Sequence, residues 1–379
     1  MRRLSRATAP EPLPDGDIRI VHLGLGAFHR AHQAVLTQQA GDGWAICAVA
    51  QRSTAVRDAL RPQDNVFTVA EGDRLTVVGS VREVLHAGEQ PGLVTARLSE
   101  VDVVTVTVTE AGYRADGPVV AQLVSGLRAR DRGLTVISCD NVPDNGQVLR
   151  RLVLDACEPS LREWVAEEVA FPSSVVDQIV PAATEDDLRR VSGQLGLVDR
   201  AAVVAEPYRS WVIENRFAGP RPAWDAVITD DIGTAQKAKL RLVNGTHSAL
   251  AYLGLRAGYE TTAQVAAVPE FAAYVRALVT ETGRGLSPDP EALLTRFTNP
   301  AIRHRLRQIA MDGEHKVPQR LVAPALELLA AGDEPRMICL ALAAFDGDVV
   351  PEELAPLVAD AARRLDRAGV LGALRAELP

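Results

Sequence analysis

The chain has 379 residues, of which 47% are hydrophobic and 4% aromatic, and it carries a formal net charge of −8. That length favours two domains, and the apolar fraction is ample for buried cores. The acidic balance and the scarcity of aromatic rings argue against a broad polyanion-binding surface, so a small molecule is the expected partner, with no nucleic acid and no membrane.

The N-terminus carries Arg2, Arg3 and Arg6 and then Pro10, Glu11, Pro12 and Pro14. It lacks the apolar core of a signal peptide and reads as a short disordered leader before a cytoplasmic enzyme. Residues 18–23 then form a short buried strand that runs into Gly24-Leu-Gly26-Ala27-Phe28-His29-Arg30. Strand, glycine turn and helix in that order suit a dinucleotide, because glycine lets the backbone approach a pyrophosphate and the helix start offers free N–H groups. The fingerprint is incomplete, since His29 stands where G-x-G-x-x-G needs its third glycine. Glycines also mark ordinary turns, so the flanking strand and helix carry the reading.

Further strands are expected at 44–50, 67–70, 75–78, 101–108 and 134–139, with helices such as 54–60 and 119–130 as crossovers. Residues 101–108 are strongly β-branched and nearly continuous, the pattern of a central strand buried on both faces. The alternation predicts an α/β, Rossmann-like N-terminal domain over 1–235. Residues 152–168 read as a helix and 171–184 as loop, followed by a short helix and strands near 202–205 and 226–229. From Lys239 onward the periodicity is helical: 240–254, 262–282, 290–297, 302–311, 318–331, 335–344 and 351–367. The second domain, 236–379, is therefore expected to be mainly α-helical.

Lys239-Leu-Arg-Leu-Val-Asn244-Gly-Thr-His247 gathers a proton acceptor, an amide donor and an imidazole in nine residues. On an α-helix Asn244 lies about 140° and His247 about 80° from Lys239, so all three can look into one cleft but not along a narrow stripe. A desolvated lysine can titrate near neutrality and take a proton, and an amide can donate to an oxygen where charge develops. The plain alternative is an amphipathic helix with a solvated lysine and a core histidine.

Cys47, Cys139, Cys157 and Cys339 are far apart and form no C-x-x-C pair, so inert thiols are expected. The seven histidines show no ligand spacing beyond His29-x-x-His32. No metal site is expected.

Several blocks together give a resemblance. They are 24–33, Thr107-Val-Thr109-Glu110-Ala-Gly112-Tyr113, Ser138-Cys-Asp140-Asn141-Val-Pro143-Asp-Asn145-Gly146, and Val176-Asp177-Gln-Ile-Val-Pro181, then Glu206-Pro-Tyr-Arg-Ser-Trp211, 239–248 and Asp312-Gly313-Glu-His-Lys316. In these blocks the chain resembles the polyol-specific long-chain dehydrogenases, the group of mannitol 2-dehydrogenase, arabinitol dehydrogenase, fructuronate reductase and tagaturonate reductase. The resemblance implies a zinc-independent, NAD(P)-dependent enzyme interconverting a secondary alcohol and a ketone on an open-chain polyol or sugar acid. It implies Lys239 as general base, Asn141 and Asn244 on the alkoxide, and His247, Asp177 and Lys316 on other substrate oxygens. The residues expected to hold the cofactor are Gly24, Gly26, Ala27, Phe28, Arg52, Thr109 and Glu110. Each has a plainer reading as well: Asn141 as a turn former, Asp177 and Lys316 as solvated charges, His247 as core.

The cofactor is poorly marked. The resemblance favours NAD, but strand 44–50 ends in Gln51-Arg52-Ser53 with no acid for the ribose hydroxyls. Arg52 can meet a 2′-phosphate, stack on adenine or lie in solvent, which keeps NADP open. Several family members carry a glutamate three residues before the lysine, and this chain has Gln236. The substrate alternatives are a mannitol-like polyol with its ketose and D-mannonate with D-fructuronate. A non-catalytic nucleotide-binding relative and a phosphorylated-polyol dehydrogenase are weaker readings. A monomer or small homo-oligomer is expected.

Overall fold

The structure is a computed structural model that describes residues 1–108, 112–300, 302 and 304–377. It divides into two compact units, Met1–Gly233 and Thr234–Pro379.

The first unit is built on a parallel sheet. β1 (Asp17–Leu23) leads through two short helices, α1 (Ala27–Ala31) and α2 (Gln33–Ala40), to β2 (Trp44–Ala50). After α3 (Ala55–Leu60) come β3 (Phe67–Glu71), β4 (Arg74–Val78) and β5 (Val81–His86). Helix α4 (Pro91–Glu100) leads to β6 (Val103–Val106), and α5 (Pro118–Arg128) to β7 (Leu134–Ser138). Next come α6 (Asn145–Ala156), α7 (Pro159–Glu168), β8 (Val169–Ala170), β9 (Ser174–Asp177) and α8 (Glu185–Leu195). The unit ends with β10 (Val203–Val204), β11 (Ser210–Glu214) and β12 (Val227–Thr229). The main sheet has six strands in the order β5-β2-β1-β6-β7-β8, and every pairing in it is parallel. Strands β2 and β7 are buried along their whole length, as a sheet covered on both faces requires. Two three-stranded sheets, β10-β3-β4 and β12-β11-β9, complete the unit.

Local chemistry sets the ends. Proline occupies the first turn of α4, α5 and α7, where its missing N–H costs nothing. Pro159 also splits the single helix expected over 152–168 into α6 and α7. Strand β6 is shorter than the expected 101–108. At its start Asp102 turns its carboxylate to Arg19 (2.7 Å) and Arg132 (2.8 Å). At its end Val108 N–H leaves the ladder for Asp140 Oδ2 (3.0 Å). Residues 171–184, expected as loop, contain β9. The expected leader is ordered: Leu4 is fully buried, its N–H bonds to Val198 O (3.0 Å), and Val198 N–H returns to Arg2 O (2.8 Å). One apolar side chain and two backbone bonds outweigh the proline-rich composition that suggested disorder.

The second unit is helical. Helix α9 (Ile232–Ala238) leads into a π-helical segment, Lys239–Gly245, which continues without a break as α10 (Thr246–Arg256). The rest comprises α11 (Thr262–Ala266), α12 (Pro269–Thr282), α13 (Pro290–Phe297), α14 (Leu306–Ala310) and α15 (Gly313–Val317). A second π segment, Pro318–Val322, precedes α16 (Ala323–Ala330), α17 (Arg336–Ala344) and α18 (Ala355–Glu377). Pro269 at the first turn of α12 breaks the expected helix 262–282 in two. Helix α10 is buried from Ser248 to Gly254 and packs against α11, α14 and α17, which makes it the central helix of this unit. Among the described residues no helix is long and apolar enough to cross a membrane.

Candidate functional site

Strand β1 leaves the sheet at Leu23 and turns through Gly24, Leu25 and Gly26 into α1. Gly24 has φ +117, and a Cβ there would lie 1.9 Å from the Thr107 carbonyl oxygen. Only glycine lets the ends of β1 and β6 run out together. A Cβ on Gly26 would meet nothing nearer than Gly24 O at 3.8 Å, so bare backbone faces open space. That space is a cleft of about 450 Å³ walled by the 24–26 turn, the end of β2, Thr107, Val108 and the start of α5. It lies outside the carboxyl ends of β1 and β6, where the strand order reverses and open α/β sheets bind ligands. The cleft suits a dinucleotide, with glycine backbone for a pyrophosphate and Val56, Val108 and Val119 as apolar wall.

Of the residues expected to hold the cofactor, Gly24, Gly26 and Arg52 line this cleft. Ala27 and Phe28 form the first turn of α1 and pack against the sheet core. Thr109 and Glu110 lie outside the described residues. His29, at the place of the third glycine, is buried and stacks on His22 with centroids 3.4 Å apart and planes 9° from parallel. Helix α1 thus approaches β1 across a pair of imidazoles rather than backbone to backbone. His22 is held by Thr105 Oγ1 and Thr107 Oγ1, each at 2.8 Å. Burial pushes His22 down to about 3. Burial, then the neighbouring His22 and Arg30, keeps His29 well below the usual imidazole range.

Asn141 is exposed in the bend after β7. The bend is braced from both sides. Asp140 Oδ2 accepts from Val108 N–H (3.0 Å) and from the Tyr113 hydroxyl (2.9 Å), which also contacts Ser138 Oγ. Burial, then the Asp140 charge, raises the Tyr113 phenol well above its ordinary range, so it stays a donor. Asn145 is fully buried and donates to the carbonyls of Asp140 (2.9 Å) and Ser174 (2.9 Å), while its Oδ1 accepts from Ser174 N–H (3.0 Å). One amide therefore ties the end of β7 to the start of β9. Asp177 is the last residue of β9, half-buried, opposite Ser210 of β11. Glu206 fixes the two residues after it: Glu206 Oε1 accepts from Ile179 N–H (2.7 Å), and its carbonyl accepts from Gln178 Nε2 (3.1 Å).

In the second unit Lys239 opens the π segment, half-buried. The expected α geometry is corrected here. An i→i+5 turn holds roughly 4.4 residues, so Asn244 swings from about 140° to roughly 50° from Lys239. His247, two residues into α10, comes to roughly 30°. In ideal geometry the three directions then fall within about 80° of arc, where an α-helix spreads them over about 140°. The opposite face is tied down by Glu327 of α16, which pairs with Lys237 (3.3 Å) and Arg241. Gly245 closes the segment against the second π turn, where a Cβ would lie 3.0 Å from Arg320 O and 3.5 Å from Leu240 O.

The His247 ring stacks on Phe297 (5.0 Å) and meets His304 edge-on (4.8 Å). The Thr262 hydroxyl lies 3.4 Å from His304 O and 3.3 Å from His247 Nε2, both long bonds. If its proton goes to the carbonyl, Nε2–H donates to Thr262 and Nδ1 is the acceptor end of the ring. Burial, then His304, Arg320 and Arg296, holds the ring well below its ordinary range and therefore neutral. Lys316 donates to Met311 O (2.6 Å) within its own turn and stands 3.9 Å from Asp312. Its charge, after burial, also lowers His304. Gln236 has a buried Nε2 with no hydrogen-bond partner among the described residues. Among the described residues no three His, Cys, Asp or Glu side chains are grouped to hold a metal ion.

The bracing residues Asn145 and Asp140, and the π turn itself, were not read from the sequence as parts of a site. The one hint was Gly245 inside a helical pattern, since a glycine there often marks close packing.

Comparison with known proteins agrees with this layout. A family model of the mannitol dehydrogenase Rossmann domain matches residues 18–226, and one of the mannitol dehydrogenase C-terminal domain matches 231–346. D-mannonate oxidoreductase of Escherichia coli (strain K12) is 38% identical over 86% of this chain and 79% of its own length. Mannitol 2-dehydrogenase of Aspergillus fumigatus is 34% identical over 86% and 77%. The solved ternary complex of Pseudomonas fluorescens mannitol 2-dehydrogenase with NAD and D-mannitol superposes with a TM-score of 0.82 at 30% identity, covering 98% of this chain and 93% of that one. With both family models matched in order along one Rossmann unit and one helical unit, the chain belongs to the mannitol dehydrogenase family and is an oxidoreductase acting on a CH–OH group.

Proposed function

We propose that this enzyme interconverts a secondary alcohol and its ketone on an open-chain polyol or sugar acid. The observation that supports the reading is the π turn that runs from Lys239 into the buried helix α10, because its wider winding brings the ideal directions of Lys239, Asn244 and His247 closer together than an α-helix does. Lys239 Nζ, neutral at that moment, accepts the proton of the reacting hydroxyl. Asn141 and Asn244 donate to the same oxygen, and their bonds strengthen as its negative charge grows. Neutral amides suit this task, because a full positive charge would trap the alkoxide. His247, held neutral, accepts from a neighbouring hydroxyl, and Asp177 and Lys316 take more distant oxygens. A nicotinamide dinucleotide in the glycine-turned cleft supplies the hydride acceptor for oxidation and the donor for reduction. Gly24, Gly26 and Arg52 hold it there.

Two substrate classes stay in view. The matches include both mannitol 2-dehydrogenases and a D-mannonate oxidoreductase, and the latter has the higher identity. An absorbance screen of both nicotinamide cofactors against mannitol, arabinitol, sorbitol, mannonate and altronate tests the reading. Turnover confined to the hexonates selects the sugar-acid branch, and turnover of none of the five rejects the proposal.

A further inference from the structure

A backbone turn that receives a diphosphate must keep its carbonyl oxygens away from the anion, which each of them would repel. The turn after β1 has two glycines, and glycine leaves the peptides beside it free to rotate. Their orientation must therefore be fixed from outside the turn. Gly24 O accepts from Gly26 N–H (2.7 Å), from the Thr107 hydroxyl (3.0 Å) and from His22 Nε2 (3.0 Å). Its lone pairs are filled from within the protein. The N–H of the same peptide, on Leu25, is held by Val49 O of β2 (3.2 Å). Gly26 O is turned inward in the same way, by Arg30 N–H (3.3 Å) and Arg30 Nε (3.2 Å).

The protons follow from the partners. A carbonyl only accepts, so His22 carries its proton on Nε2. Burial holds the ring neutral, which leaves Nδ1 bare to accept from the Thr105 hydroxyl (2.8 Å). The Thr107 hydroxyl gives its proton to Gly24 O and accepts from His22 Nε2–H (2.8 Å). His22 is fully buried and His29 covers one face of its ring, so water does not compete for these bonds. Thr105 stands opposite His22 in the β1–β6 ladder. Thr107, two residues on and therefore on the same face, reaches the cleft wall. The network thus runs from the inside of the sheet to the cleft.

We propose that His22 and Thr107 are positioning residues for the cofactor diphosphate, holding the Gly24 carbonyl inward so that the turn presents no acceptor to the anion. The proposal rests on the nucleotide reading of the cleft. His22 acts from inside the sheet, through the peptide alone. Without these two bonds the Gly24–Leu25 peptide gains a second orientation, and affinity falls in proportion to the loss of the competent one.

The test is equilibrium binding to the full chain, of NADH by its fluorescence and of 5′-ADP and adenosine by displacement of NADH. His22→Phe keeps a ring to stack on His29 and removes the donor. Thr107→Val keeps the shape and removes the hydroxyl. Each is expected to weaken NADH and 5′-ADP by about tenfold and to leave adenosine, which has no phosphate, within about twofold. The cofactor KM should rise with them, while kcat at saturating cofactor stays within about threefold. His22→Gln, whose amide restores an N–H near the Nε2 position, and Thr107→Ser should each recover most of the loss. An equal loss for adenosine, or a kcat that falls in step with affinity, makes the pair merely structural and overturns the proposal. So does unchanged NADH affinity in either His22→Phe or Thr107→Val, or a His22→Gln no better than His22→Phe. Should His22→Phe fail to fold, Thr107→Val and Thr107→Ser decide alone. If the unaltered chain binds neither NADH nor 5′-ADP, the cofactor reading itself falls, and the proposal with it.

Discussion

Gly245→Ala tests whether the π turn sets the chemistry. Gly245 has φ −61 and ψ −51, which alanine adopts without strain. On backbone grounds alone alanine gains about 1 kcal/mol of helix propensity. Against this, its Cβ would sit 3.0 Å from Arg320 O and 3.5 Å from Leu240 O. The first oxygen belongs to the second π turn and the second is the i→i+5 acceptor within the same segment. Both are backbone, so relief requires the two turns to part by a few tenths of an ångström. Overpacking of this kind costs about 1–3 kcal/mol. The two effects nearly cancel, and the net loss is expected to be no more than about 2 kcal/mol, a few degrees in the melting temperature. Turnover should suffer more. Asn244 precedes the displaced residue directly, and misplacement of about 1 Å can cost about 100-fold in rate. A shift of a few tenths should cost about tenfold, with cofactor affinity unchanged, and Gly245→Val should cost more on both counts. Thermal unfolding, cofactor titration and kcat on the three proteins decide the matter. A variant that melts lower yet keeps full kcat refutes the link between the π turn and the reacting groups.

Lys239→Ala should lower turnover by about 10²–10⁴-fold with cofactor binding intact, measured by steady-state rates beside a fluorescence titration; near-normal turnover at neutral pH would assign the base elsewhere. Asn141→Ala and Asn244→Ala should each lower the hydride-transfer rate by about 10²–10³-fold with little change in KM, and the double variant should fall short of the product; strictly multiplicative losses in single-turnover experiments would mean that the amides serve different atoms. His22, His29 and His247 are all held neutral below the ordinary imidazole value. The unfolded chain therefore binds more protons than the folded one as pH falls through about 6.5, and stability present above that value is lost below it. For His22, with a folded value of about 3, the loss is about 1.4 kcal/mol per pH unit between the two values. Urea midpoints at pH 7 and pH 5 measure it, and coincident midpoints would contradict the burial argument.

The sheet is legible in the sequence because its strands are buried on both faces. Val103, Val104 and Val106 read as strand whatever their neighbours do, and the glycine turn after Leu23 marks the place of the cleft. Strand β5 escapes such a reading: an edge strand carrying Arg82 and Glu83 shows neither a continuous apolar run nor alternation. The N-terminal segment misleads because composition cannot see Leu4 find a pocket formed by residues far along the chain. The residue types of the lysine block are readable and their angular placement is not. Nothing in Leu240 to Val243 distinguishes a π turn from an α turn, since the wider turn is held by packing against 318–322 rather than by local propensity.

That turn gives helix 232–256 something akin to a reading frame. An i→i+5 turn holds one residue more than an i→i+4 turn, so everything beyond it is rotated by about 100° relative to an uninterrupted α-helix. Removing one residue between Lys239 and Asn244 would restore the ordinary turn, and every later side chain would keep its identity and lose its phase. The core face of α10 and the stripe that begins at Lys239 would then compete for a single rotation, because Leu250 and Leu253 must point into the core. The inserted residue resolves that contest. Its chemical nature matters less than its presence, so substitutions at the outward-facing positions of the turn should be tolerated where a single deletion is not.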